Sequence, residues 1–161
     1  MTERPAAAAP VPQYTTQRGP RPRVLVEDTD TTRRLTTERR LRAAGYEVIG
    51  CAGPASLSRG RCPVEETREC PGVAAAEVVL SVLRDDRDRL PQVVAGIREQ
   101  HPELPVAVLA TPSVAYRVRH LLDDGCVVHD LEADPAEAVE SARTCAQAST
   151  TLRTSVISRT A

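Results

Sequence analysis

The chain has 161 residues, enough for one domain with a hydrophobic core and short for two. Basic and acidic residues nearly balance, 21 against 22, so there is no basic excess for binding nucleic acid through its phosphates. No apolar run reaches the length of a membrane helix, and the N-terminus lacks the pattern of a secretory signal. We therefore expect a cytoplasmic protein that binds neither nucleic acid nor a membrane.

The absence of lysine limits the possible chemistry, and the absence of Phe and Trp limits the composition of the core. The sequence contains no lysine, which excludes any mechanism that depends on a lysine ammonium group. Phe and Trp are also absent and only three Tyr occur, so the core must be built from Val, Leu, Ile and Ala. The abundance of Arg, Ala, Val and Pro is typical of a genome rich in G and C, which favours an actinobacterial source.

Short apolar runs alternate with helical patterns from Pro22 onward. Residues 1–20 are rich in Pro and Ala without apolar periodicity, which predicts a disordered tail. The predicted strands are Arg23–Val26, Tyr46–Cys51, Ala76–Leu83, Pro105–Ala110 and Cys126–His129. The predicted helices are Thr29–Ala44, Arg87–Gln100, Ser113–Asp124 and one from Pro135 to about Ala148. A frayed, flexible C-terminal tail is expected over residues 149–161.

Cap residues define the ends of two of these helices. Asp30 or Thr31 is expected to cap the first helix, and Gly45 to end it. Asp134 is expected to cap the last helix, with Pro135 at its first position.

Strands that alternate with helices over short connections predict parallel pairing, with helices on both faces of the sheet. Five such units form a single doubly wound α/β domain over residues 21–148, with a flavodoxin-like five-stranded sheet in the order 2-1-3-4-5. Residues 52–75, called here the cysteine segment, break the alternation. In that segment a loop rich in Cys and Pro replaces or modifies the second helix.

Three stretches of the sequence resemble the receiver domain of bacterial response regulators. The first is RVLVED at 23–28 with LRAAGYEVIG at 41–50, and the second is HPELPVAVL at 101–109. The third is DDGCVVH at 123–129 with DPAEAV at 134–139. The resemblance covers roughly Pro22 to Ala148 without the cysteine segment, and it implies two-component (phosphorelay) signal transduction.

The resemblance also implies where a phosphorylation site would lie. In receivers, an acidic pair after the first strand and an Asp ending the third hold Mg²⁺, and that Asp accepts the phosphoryl group. A Thr or Ser after the fourth strand and a Lys after the fifth stabilise the added charge. Glu27 and Asp28 match the acidic pair, and Thr111 matches the hydroxyl position.

Two positions depart from this pattern. The acceptor position falls on Ser81, or on Val82 one residue further, and neither supplies a carboxylate. The lysine position is His129, which is expected to be a weak cationic substitute at most. Phosphorylation is therefore not expected, and any Mg²⁺ binding should be weak. The sequence predicts a degenerate acidic pocket made of Glu27, Asp28, Ser81, Thr111 and His129.

Three of the five cysteines, Cys51, Cys62 and Cys70, lie in or directly before the cysteine segment. They could ligate zinc or an iron–sulfur cluster, form a reversible disulfide, or pack as small apolar residues. The absence of a Cys-x-x-Cys pair favours packing, so no cofactor is the first expectation. Cys126 and Cys145 are expected in the core, with Cys126 at the end of the sheet opposite Cys51.

The leading hypothesis is an atypical receiver-like regulator that is not an enzyme and acts, without phosphorylation, by binding a regulator, a kinase or a second copy of itself. From the chain length we expect no attached DNA-binding domain. In receivers the surface of the fourth helix, fifth strand and fifth helix commonly docks partners. The residues that the resemblance assigns to it are Tyr116, Arg117, Arg119, His120 and Arg143. The alternative is a metal- or thiol-based redox sensor whose input is Cys51, Cys62 and Cys70.

Overall fold

Five parallel strands form a single sheet in the order β2-β1-β3-β4-β5, which confirms the predicted doubly wound fold. The computed structural model describes residues 21–54, 62–66, 68–85, 89–122 and 125–157, with side chains as far as Ala148. The predicted N-terminal tail lies outside these residues. The strands are β1 Arg23–Glu27, β2 Glu47–Cys51, β3 Val78–Leu83, β4 Val106–Ala110 and β5 Cys126–Asp130.

The helices that cover the sheet begin at the expected caps in two cases. Asp30 accepts a hydrogen bond from the Arg33 amide at 3.0 Å, and Gly45 follows the helix with a φ of 97°. Asp134 accepts from the Ala136 amide at 2.8 Å. The helices are α1 Thr31–Ala43, α2 Pro71–Ala75, α3 Leu90–Gln100, α4 Pro112–Val118 and α5 Pro135–Ile157.

Helix α4 is shorter than the sequence predicts, because it ends at Val118 rather than at Asp124. The chain beyond it tightens into a turn in which the Leu121 amide donates to the Val118 carbonyl at 2.8 Å. The Arg119 side chain donates to the Tyr116 carbonyl at 2.9 Å. Because this guanidinium satisfies a carbonyl at the end of the helix, the helical hydrogen-bond ladder need not continue.

Helix α5 is longer than predicted and continues to Ile157. Its last fully buried side chain among those described is Ala142. Cys145 is exposed, so the prediction that it belongs to the core was wrong: the face of α5 that packs on the sheet ends before it. Cys126 is half-buried against the core and lies at the end of the sheet opposite Cys51, as expected.

The core consists of two apolar layers, one on each face of the sheet. Leu25 and Val79 point to the face covered by α3 and α4, and Val26 and Leu80 point to the face covered by α5. Strands buried on both faces have continuous apolar sequences rather than alternating ones, as β3 and β4 do here. Aliphatic residues therefore make up most of this core, together with buried Cys62.

The cysteine segment is attached to α3. Its described part contains a 3₁₀ turn at Val64–Glu66 and the five-residue helix α2. The Gln100 side-chain amide donates to the Val64 carbonyl at 3.2 Å, and Arg89 pairs with Glu65 at 2.7 Å. A short helix and a turn thus stand where the sequence predicted a loop in place of the second helix.

A buried carboxylate on α1 fixes this helix against β2. Glu38 is buried and lies between two arginines of its own helix, Arg34 at 3.5 Å and Arg42 at 3.0 Å. Its Oε1 atom occupies the position that a Cβ atom at Gly50 would need. Glycine at this position of β2 therefore allows α1 to approach the sheet with its ion pairs intact.

We expect Gly50→Ala to lower the free energy of unfolding by about 1–3 kcal/mol, because the new methyl group would displace a buried, paired carboxylate. Gly72→Ala is the matched control, since a Cβ there would meet its nearest atom, Leu25 Cδ1, at an ordinary 3.4 Å. Chemical denaturation of both variants measures the difference. Equal stability of the two variants would contradict the role assigned to Gly50.

Candidate functional site

The strand register sets which side chains meet at the carboxyl edge of the sheet. Glu27 on β1 lies beside Cys51 on β2 and Ser81 on β3. One residue further along the strands, Val82 lies beside Leu109, and Leu109 beside His129. Because side chains alternate between faces, the row that contains Glu27 and the row that contains Val82 point to opposite sides of the sheet.

Asp28, the residue after β1, is fully buried and tied to an arginine that follows β3. Arg84 donates to both carboxylate oxygens, from Nε at 3.2 Å and from Nη2 at 2.9 Å. The Asp30 amide donates to the same carboxylate at 2.9 Å. Hydrogen bonding to Asp28 raises the pKa of Arg84 above its usual value. The Arg84 guanidinium therefore binds the Asp28 carboxylate, which the receiver resemblance assigned to metal binding.

Sequence reasoning missed Arg84. It lies 56 residues from Asp28 and belongs to no motif, so only the sheet register brings the two together. The signal in the sequence that could have indicated this pair is Arg84 itself, which directly follows β3, the strand that in receivers ends in the acceptor aspartate.

Glu27 is separated from Asp28 and points into the core beside Ser81. Both side chains are buried, at 3% and 0% exposure, and neither Glu27 Oε2 nor Ser81 Oγ has a hydrogen-bond partner. Burial raises the pKa of Glu27 to about 7, and the nearby Ser81 hydroxyl lowers it to a smaller extent although the two groups do not meet in hydrogen-bond geometry. The two residues of the predicted acidic pair thus occupy different environments.

The remaining residues of the predicted pocket also have separate surroundings. Thr111 caps α4, where its hydroxyl oxygen accepts from the Val114 amide at 3.4 Å and lies 3.2 Å from the Ser113 hydroxyl. His129 is half-buried in β5, and its Nε2 atom has no partner. The structure places all five residues near one edge of the sheet but does not join them in one cluster of contacts.

The three cysteines of interest pack against the same apolar layer. Cys62 is buried, and Cys51 and Cys70 are half-buried on the Glu27 side of the sheet. Burial raises the pKa of both the Cys51 and the Cys62 thiol, which disfavours the thiolate that metal binding and disulfide exchange require. Among the described residues no group of three or more His, Cys, Asp or Glu side chains is arranged to hold a metal ion. These observations give the metal and redox hypotheses no support.

A cleft of about 300 Å³ opens on the other side of the carboxyl edge, over Val82. One face of α1 forms its first wall, the ends of β3 and β4 form its floor, and the loop between β5 and α5 forms its second wall. The lining residues are Arg33, Thr36, Thr37, Arg40, Val82, Arg84, Leu109, Leu131, Glu132, Ala133 and Pro135. Ser81 faces away from this cleft, so Val82 rather than Ser81 lies where a ligand could reach the end of β3.

Exposed side chains of the predicted interaction surface surround the α4–β5 side of the domain. Tyr116 is 67% exposed, and the Arg119 guanidinium stacks over its ring at 3.9 Å. Val128, which the sequence analysis did not single out, is 44% exposed on β5. Arg117 and His120 are exposed as well, and Arg143 pairs with Glu140 at 2.9 Å.

We expect protein stability to fall as pH rises from about 4.5 to about 7, because folded Glu27 retains a proton that the unfolded chain releases. Above about pH 7 both states are ionised, and the accumulated loss is on the order of 3 kcal/mol. In Glu27→Gln this component should disappear, so that the variant gains stability relative to the wild type as pH rises. Denaturant unfolding at about pH 5 and about pH 8 measures it.

Glu47→Gln serves as the control, because it removes the same charge from an exposed position on β2. If Glu27→Gln and Glu47→Gln keep the same pH dependence as the wild type, Glu27 does not titrate as proposed.

Within the part of the chain described above, no helix is both long and apolar enough to cross a membrane. No family model matches the sequence, and no curated protein matches it either.

Solved receiver structures do match the fold. A response-regulator receiver domain from Clostridium thermocellum superposes with a TM-score of 0.60 at 14% identity, over 81% of this chain and 98% of the other. A receiver protein from Sinorhizobium medicae gives 0.57 at 19% identity, over 79% and 98%. The chemotaxis protein CheY4 of Vibrio cholerae gives 0.54 at 16% identity, over 77% and 98%. Together with the strand order and the helices on both faces, these similarities show that the chain has the fold of a response-regulator receiver domain.

Proposed function

We propose that this protein is a signalling regulator of the receiver type that acts by binding another protein, without phosphorylation of an aspartate. The observation that carries the proposal is the Asp28–Arg84 pair. Arg84 donates to both oxygens of the Asp28 carboxylate at the carboxyl end of β1. Val82, near the end of β3, lines the cleft. Among the described residues, the acceptor position at the end of β3 carries no carboxylate, and the Asp28 carboxylate is already bonded to Arg84.

Two other features support a role without catalysis. The Ser81 hydroxyl is fully buried, so no substrate in solution can reach it. The neighbouring Glu27 carboxyl is buried as well, which shields it from solvent and disfavours its use as a base for Ser81. We therefore propose that the protein is not an enzyme.

The docking surface that we propose is centred on Tyr116. An aromatic ring exposed to 67% and held by a stacked arginine is a rigid, amphipathic contact of the kind that dominates protein interfaces. Val128 adds apolar area on the adjacent edge strand, on the sheet face that α4 covers. A protein partner would cover both side chains.

We expect no covalent phosphorylation when the protein is incubated with acetyl phosphate and Mg²⁺, because the acceptor position is Val82 and Arg84 holds Asp28. Intact-mass spectrometry checks this, with a phosphorylatable receiver domain in the same reaction as the positive control. A phosphoryl adduct on any Asp or Glu of this chain would overturn the phosphorylation-independent mechanism.

We expect Tyr116→Ala to weaken the binding of a cellular partner by about tenfold or more, as loss of an aromatic anchor commonly does. Leu35→Ala is the matched control, since Leu35 is an exposed large apolar residue of α1 on another side of the domain. Quantitative affinity purification with the wild type and both variants identifies proteins retained by Leu35→Ala and lost by Tyr116→Ala. If Tyr116→Ala retains every protein that the wild type binds, the surface has been assigned incorrectly.

A further inference from the structure

We propose that the cleft over Val82 binds a small organic oxyanion of the phosphate-monoester class, held by arginines and not covalently attached. This ligand site goes beyond the proposed docking function and does not depend on it, because none of the lining residues belongs to the Tyr116 surface.

The cleft presents three guanidinium groups from two elements of the fold. Arg33 and Arg40 are seven residues apart on α1, which places them on the same side of the helix, two turns apart. Arg84 approaches from the end of β3. Guanidinium groups are suited to oxyanions because their planar donors match the oxygens of phosphate and carboxylate.

Two of these arginines are held in place before any ligand arrives. Arg84 is fixed by Asp28 through Nε and Nη2, and Arg40 is fixed by Asp134 through Nη2 at 2.6 Å. In both cases Nη1 makes no hydrogen bond with the described residues. Arg33 is exposed and forms no ion pair within the described parts of the chain. Donors that are already positioned lose little entropy when a ligand binds.

The floor of the cleft is apolar. Val82, Leu109 and Leu131 line it, and these side chains carry no charge. An apolar floor beside guanidinium donors fits a ligand with an anionic head and a small organic body. The volume of about 300 Å³ is at the lower end of the range for small-molecule pockets.

Three carboxylates oppose this assignment electrostatically. Asp28 and Asp134 already pair with Arg84 and Arg40, and Glu132, which lines the cleft, provides a test. Glu132 is an exposed carboxylate in the loop between β5 and α5, close enough to Arg84 to influence its pKa. Its negative charge should weaken the binding of any anion. Removing that charge should therefore have the opposite effect from removing Arg33.

The experiment is isothermal titration of the full chain with inorganic phosphate and with phenyl phosphate. We expect phenyl phosphate to bind more tightly than phosphate, because its ring can contact the apolar floor. Arg33→Gln should weaken phenyl phosphate binding by about tenfold, the effect of one charged hydrogen bond. Arg39→Gln should leave binding unchanged, since Arg39 is an exposed arginine of the same helix outside the cleft. Glu132→Gln should tighten it.

Three results would overturn the proposal. The first is the absence of binding of either probe at millimolar concentration. The second is equal weakening by Arg33→Gln and Arg39→Gln, which would indicate attraction to the basic helix as a whole. The third is phosphate binding at least as tightly as phenyl phosphate, which would exclude an organic ester as the ligand. Circular dichroism of each variant confirms that the fold is retained, and all three substitutions lie at exposed positions.

Discussion

The pairing of Asp28 with Arg84 is the interaction on which the carboxyl edge of this sheet depends. A fully buried carboxylate without a partner would cost several kcal/mol, and loss of one member of such a pair commonly costs about 3–5 kcal/mol. Here the two-point contact with Arg84 and the amide of Asp30 satisfy both oxygens. The same turn positions Asp30 to cap α1, and Arg34 of that helix donates back to the Asp28 carbonyl at 3.2 Å. A single ion pair therefore joins the ends of β1 and β3 and fixes the start of α1.

This pair also divides the edge into two environments. On one face, Glu27 and Ser81 are enclosed with unsatisfied polar atoms beneath the cysteine segment. On the other face, the cleft opens over Val82 with arginines along its wall. Burying unpartnered polar groups costs free energy, and the high pKa of Glu27 shows that the carboxyl avoids much of this cost by remaining protonated below about pH 7. The carboxyl edge therefore has a buried polar side around Glu27 and Ser81 and a solvent-facing cleft lined by arginines.

The sequence predicted the sheet well because its signals are local. Short apolar runs separated by helical patterns predicted the five strands, and Asp30 and Gly45 marked the ends of α1. The strand order was expected from the flavodoxin-like fold that five such units imply. The prediction failed at two helix positions. At the end of α4, Arg119 bonds to the Tyr116 carbonyl, a local contact that the apolar pattern does not reveal. Cys145 is exposed because the part of α5 that packs on the sheet ends before it. The site was only partly predictable from the sequence. Glu27, Asp28 and Ser81 were identified as site residues, but only the strand register shows which face of the sheet each one occupies. Arg84 belongs to no motif, so the sequence did not indicate it.

The geometry places the cleft and the Tyr116 surface on successive parts of one segment. Leu109 forms part of the cleft floor, and Thr111, two residues later, caps the helix that carries Tyr116. The side chains of β4, which are buried along the whole strand, connect the cleft to the Tyr116 surface. Because such a core is closely packed, a shift of the β4 end at the cleft would move the start of α4 as well. A ligand changes partner affinity only if it binds two arrangements of this segment with different affinity. Under the proposed non-covalent mechanism, such a difference would arise from contacts of the ligand with the arginines and the end of β4.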